Sequence, residues 1–145
     1  VLKSHGLFGN KMWEVTKATL VSKIMYASQA WYGFINNAEQ LRLQAIISKA
    51  IKLKFLPPNF SKLSDLFEEA DSVLFGSIIT NHNHVLHNLL PPIKVTGHSL
   101  RKRAHDRLIP SVTEAKDSLL MKTFINRMLF KDIYSTTFSG SSLCL

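Results

Sequence analysis

Three groups of side chains in this 145-residue chain have types and spacings that could do chemistry. The first is basic: "LRKRAHDRLIP", residues 100–110, sets Arg101, Lys102, Arg103, His105 and Arg107 within seven positions, interrupted only by Ala104 and Asp106. Guanidinium and ammonium groups at that density, in a segment between Gly97 and Pro110, can follow the backbone of a polyanion, an arginine donating two hydrogen bonds to one phosphate. A solvated surface loop would carry the same residues. Lys49, Lys52 and Lys54 would extend the field if their helix faces the same side.

The second group is "NHNHVLH", with His82, His84 and His87. His84 and His87 stand three apart and share a face of a helix, His82 points elsewhere, and no Asp, Glu or Cys accompanies them at ligand spacing. A closed zinc site needs about four good ligands, so polar residues on a helix flank are expected here and no metal. The third group is Glu68, Glu69 and Asp71, near a helix boundary where capping and solvation account for carboxylates. An acid/base pair would need both groups in one cleft with environments that part their pKa values. There is no glycine-rich phosphate loop, no G-x-S-x-G and no Cys/His nucleophile arrangement, so no catalytic residue is expected.

The elements that must hold these groups read as helices. From Lys11 to Phe34, Trp13, Leu20, Ile24, Ala27 and Trp31 recur at helical spacing while Val15, Val21, Met25 and Tyr32 widen the stripe. One helix is expected there, capped by Asn10 and buried on most of its circumference, with Trp13, Tyr26, Trp31 and Tyr32 as packing residues rather than base-stacking platforms. A second helix starts at Asn37, carries Leu43, Ile46, Ile47, Ala50 and Ile51, keeps its lysines near the C-terminal end where the helix dipole favours cations, and ends near Phe55 before Pro57 and Pro58. Ser61 or Ser64 would cap a short helix over "DLFEEAD", and Asp71 a longer one reaching Leu89 before Pro91 and Pro92. Residues 93–115 show no sustained period and read as an extended connection. Leu120, Phe124 and Met128 make an amphipathic segment of Ser118 to Tyr134, and the tail "STTFSGSSLCL" is expected to fray. The fold expected is all-α: a small bundle of helix hairpins with an extended basic connection and a frayed C-terminal tail.

Composition sets the class of partner. Forty-six per cent apolar residues suffice for a core, and eighteen Lys and Arg against ten Asp and Glu give a formal charge of +8, which draws in polyanions. Nucleic acid is the first expectation and an anionic membrane the second. The longest apolar run, "LVSKIMYASQAWYGFI", is broken by Lys23 and polar residues and falls short of the roughly 20 needed to cross a bilayer. Cys144 stands alone, so no internal disulfide framework is expected. The chain begins "VLKSHGLFG", without the pattern of a signal peptide, and is expected to be cut from something longer.

The ordered series "HGLFGNKMWEVTKATLVSKIMYASQAWYGF", "RLQAIISKAIKLKF", "LFEEADSVLFGSIITNHNHVLHNLLPP", "LRKRAHDRLIP" and "FINRMLFKDIY" resembles the C-terminal end of the open reading frame of non-LTR retrotransposons of the Jockey and chicken-repeat kind. The resemblance runs from about His5 to Tyr134. It implies that residues 1–10 end an upstream palm or linker, 11–92 form a helical thumb, 93–115 a basic extended connection and 116–145 an amphipathic segment and tail. The thumb would grip RNA and DNA, template and primer, by the backbone, in the nucleus, with the palm and fingers of the same polyprotein as its protein partner. Arg101, Lys102, Arg103, His105, Arg107, Lys49, Lys52 and Lys54 are the contacts this implies, positioning nucleic acid without reading its sequence.

The chain departs from the family in lacking the aromatic-Ala-Asp-Asp motif of the palm. No cofactor is therefore expected in it, the two Mg²⁺ ions of a reverse transcriptase belonging to the palm, and the chain alone should not polymerise. Two other readings stand beside this one: a helical protein-interaction module, and a relic of a truncated element without function.

Overall fold

Gly9, with φ +59° and ψ −134°, occupies a backbone conformation that side chains rarely adopt, and its carbonyl accepts the N–H of Trp13 at 3.1 Å. It opens helix α1 (Asn10–Thr16), so the cap expected at Asn10 falls one residue earlier and involves no side chain. The computed structural model describes residues 3–94, 105–109 and 118–131. By compactness the chain forms two units, Val1–Gly76 and Ser77–Leu145.

In the first unit α1 widens into a π turn over Lys17–Val21 and continues as α2 (Ser22–Met25). Thr16, Thr19 and Ser22 donate their hydroxyls to the carbonyls of Met12, Val15 and Ala18, a competition for helix acceptors that accompanies the irregular path. At Tyr26 (ψ 123°) and Ala27 (φ 49°, ψ 29°) the helix breaks. α3 (Ser28–Trp31) and a 3₁₀ turn over Tyr32–Phe34 complete the stretch. The single helix expected from Lys11 to Phe34 is thus several pieces. Its break has a local partner: the Tyr26 carbonyl accepts the indole N–H of Trp31 at 2.9 Å. Nor is the stretch buried on most sides, since Met12, Thr16, Val21 and Ser28 are buried but Tyr26 is 79% exposed and is no packing residue.

α4 (Asn37–Lys52) starts as its sequence demands. Asn36 accepts the N–H of Glu39 at 2.9 Å while the Glu39 carboxylate accepts the N–H of Asn36 at 2.8 Å, a reciprocal capping box. Its end precedes the prolines. The N–H of Lys54 donates to Ile51 at 2.9 Å and that of Phe55 to Ala50 at 2.8 Å, with Lys54 at φ 60°. This is a Schellman motif with lysine at the position glycine usually fills.

α5 (Leu63–Thr80) is one uninterrupted helix. Asp71 was expected to cap a second helix; it lies in the interior of this one, 4% exposed, because Leu63, Phe67, Asp71, Phe75 and Ile78 recur along one buried stripe. The first N–H uses neither Ser61 nor Ser64: that of Leu63 donates to the side-chain oxygen of Gln44 in α4 at 3.0 Å. Val21, Ile47, Ala50, Leu56, Leu63 and Phe67 form the core of this unit. Phe67 meets Trp31 edge-on at 5.4 Å and Tyr32 tilted at 4.4 Å. Burying such a side chain contributes about 1.5–3 kcal/mol.

In the second unit the helix expected to reach Leu89 stops at Thr80. The Asn81 side chain accepts the N–H of Asn83 at 3.0 Å, offering the backbone a turn in place of another helical residue. Turns lead to a 3₁₀ helix at His87–Leu89 and then to Pro91 and Pro92, which therefore follow an already ended helix. Beyond them residues 93–94 and 105–109 pair as extended backbone, while the rest of the expected connection, 95–104 and 110–115, lies outside the described residues. Ile93 forms an antiparallel bridge with Arg107, Lys94 N–H donates to Asp106 at 2.7 Å and Leu108 N–H to Pro92 at 2.9 Å.

The amphipathic C-terminal segment is split into α6 (Ser118–Lys122) and α7 (Phe124–Lys131). The Leu120 carbonyl accepts the N–H and hydroxyl of Thr123 and the amide of Asn126, so the helical ladder is interrupted there. Met128 and Leu129 are buried. Among the described residues the fold is all-α with no strand, and no helix is long and apolar enough to cross a membrane. The tail expected to fray, with Cys144, lies outside them.

Candidate nucleic-acid interface

The three lysines of the first unit stand where α4 ends. Lys49 and Lys52 occupy its last turn and Lys54 the left-handed residue beyond it, all exposed. That position complements the partial negative charge of the last carbonyls, which accounts for one cation but leaves a surplus. Lys52 and Lys54 also rim a cavity of about 690 Å³ whose walls include Phe8, Trp13, Met12 and Leu56. Phe8 is 65% exposed and Trp13 half-buried, so two aromatic side chains line a recess with two ammonium groups at its edge. Such a recess can take a planar apolar ring while the ammonium groups hold an attached phosphate. Of the aromatics expected to pack, Trp31 and Tyr32 do so on Phe67, while Trp13 also lines this recess. Phe8 is the residue that sequence reading missed: it precedes the helix in a Gly-bounded segment with no periodicity to mark it.

The basic run is only partly described. Arg101, Lys102 and Arg103 lie outside the described residues. His105 does not stand on a solvated loop: it is 7% exposed, its Nε2–H donates to the Leu129 carbonyl at 3.0 Å, and its Nδ1 accepts the N–H of Arg107 at 3.3 Å. The ring belongs to the packing of the second unit. Arg107 is half-buried and donates through Nη1 to the Pro91 carbonyl at 3.2 Å, beside its own bridge to Ile93. Part of the expected clamp is therefore built into the connection that carries it.

The histidines fall in a different arrangement from the one expected. With the helix ended at Thr80, His82 turns back onto His87, Nδ1 to Nε2 at 3.2 Å, with ring centroids 4.7 Å apart and planes at 73°. His84 stands apart from that pair in its bonding, its Nδ1 accepting the N–H of Leu86 at 3.1 Å. Of the carboxylates, Glu68 and Glu69 are exposed and Asp71 is buried, so the three do not share one environment.

No family model matches the chain, and no curated protein or solved structure matches it either.

Proposed function

We propose that this chain is the thumb-like, non-catalytic end of a retrotransposon reverse transcriptase, gripping template and primer by the sugar–phosphate backbone. The observation that carries the reading is the trio of exposed lysines at the end of α4, two of them rimming a recess lined by Phe8 and Trp13. The formal charge of +8 supports it, since such a field favours a polyanion. Arg101, Lys102 and Arg103 would add backbone contacts from the connection. His105 would hold that connection in place rather than touch phosphate. The two-metal chemistry of polymerisation would belong to a palm upstream, and the chain would act with it in the nucleus.

The test is binding of the chain to an RNA–DNA hybrid by fluorescence anisotropy across a salt series. Each phosphate contact contributes roughly one unit to the slope of log affinity against log salt. Lys49→Glu/Lys52→Glu/Lys54→Glu and Arg101→Glu/Lys102→Glu/Arg103→Glu should each weaken binding on every sequence and flatten that slope. Unchanged affinity in both triple variants would end the reading.

A second reading, a helical protein-interaction module, is favoured by Leu41 and Ile46, 70% and 44% exposed on α4. Salt-insensitive self-association without affinity for the hybrid would select it.

A further inference from the structure

The paired histidines of the second unit have a geometry that neither capping nor solvation requires. We propose that His82 and His87 form an open, two-imidazole site for a divalent cation of the imidazole-preferring class, Zn²⁺ or Ni²⁺.

Spacing is the first argument. Two nitrogens bound to one tetrahedral zinc at about 2.0–2.1 Å stand about 3.3–3.4 Å apart. His82 Nδ1 and His87 Nε2 are 3.2 Å apart. The nitrogens are already a bite apart, and on binding both rings would turn so that their lone pairs converge on a point off the line between them, the exposed His82 ring having room to do so.

The second argument comes from what lies behind the pair. A ring nitrogen facing a carbonyl must carry the hydrogen, so the 2.7 Å contact between His87 Nδ1 and the Ile78 carbonyl fixes its tautomer. Nε2 is then the lone-pair atom, and it is the one that faces His82. A metal-ligating histidine characteristically donates its other N–H to a carbonyl or carboxylate in this way. Ile78 is fully buried, so the carbonyl that orients the ring belongs to a packed part of α5.

Proton balance is simple. With His87 Nε2 accepting, His82 donates from Nδ1; on metal binding that proton moves to His82 Nε2 through solvent, and both ligating nitrogens present lone pairs with no net charge lost from the rings. Among the described residues no third His, Cys, Asp or Glu converges, so water or an external ligand would complete the coordination. A site of two nitrogens and no protein oxygen disfavours Mg²⁺ and Ca²⁺. The bound ion would replace a hydrogen bond with two coordinate bonds and pin the turn after Thr80 to the end of α5.

The experiment is calorimetric titration of the full chain, with Cys144 alkylated, by Zn²⁺, Ni²⁺ and Mg²⁺. One equivalent of Zn²⁺ or Ni²⁺ and no Mg²⁺ should bind. His82→Gln and His87→Gln should each weaken binding by about tenfold or more, while His84→Gln and His5→Gln leave it unchanged. His87→Gln also removes the bond to Ile78, so His82→Gln, at an exposed position, is the deciding variant, its helical circular dichroism being checked against the parent. If the parent binds no more tightly than the His82→Gln/His87→Gln double variant, or if His84→Gln is as damaging as His82→Gln, the site is refuted.

Discussion

His105 and Leu129, twenty-four residues apart in the chain, are joined by a 3.0 Å hydrogen bond from the imidazole Nε2–H to a backbone carbonyl in the last turn of α7. Among the described residues the buried ring is the donor to that carbonyl, in the turn where helix carbonyls run out of intrahelical N–H groups. His105→Ala should destabilise the second unit by about 1–3 kcal/mol, because it removes a buried side-chain donor from that carbonyl. Hydrogen exchange would report it as faster exchange over residues 124–131. Under the thumb reading, hybrid affinity measured below the melting range should barely change; a large loss of affinity at intact stability would instead restore His105 as a contact.

Lys54 makes stability and charge separable. Its φ of 60° costs an L residue about 1–2 kcal/mol that glycine does not incur, part of which returns as lost freedom of glycine in the unfolded chain. Lys54→Gly should therefore raise the stability of the first unit by about 0.5–1 kcal/mol in a urea melt. The same variant should bind the hybrid more weakly, with the salt slope reduced by about one if Lys54 meets a phosphate.

Phe67 is 2% exposed and touches both Trp31 and Tyr32, so it joins the segment before α4 to the start of α5. Phe67→Ala should cost about 3–5 kcal/mol, from lost transfer and a residual cavity. Phe67→Leu should recover a good part of that, and near-ultraviolet dichroism should show Trp31 losing its fixed environment in the alanine variant first.

The capping box of α4 predicts a smaller effect. Asn36→Ala removes the acceptor for Glu39 N–H and should cost about 1 kcal/mol. Asn36→Asp should keep most of it, because a carboxylate accepts the same N–H. Equal losses in the two variants would mean that the cap does not hold the helix end.

The sequence by itself determined the helical class, the start of α4, the extended backbone directly after Pro92 and the cationic surplus. Each of these is local: a period of apolar residues, an Asn36–Glu39 pair three apart, a proline, a count of charges. Tertiary structure decided the rest. Asp71 reads locally as a cap, but the stripe from Leu63 to Ile78 carries it through the middle of α5. His105 reads as one more cation in a basic run, yet its partner is a helix end that no local pattern connects to it. Gln44 closing the start of α5 across nineteen residues, and His82 folding back onto His87, are of the same kind. Hydrogen bonds within a few residues leave a signature in spacing; those made by folding distant segments together leave none, because the donor and acceptor are common groups whose meeting depends on the packed core.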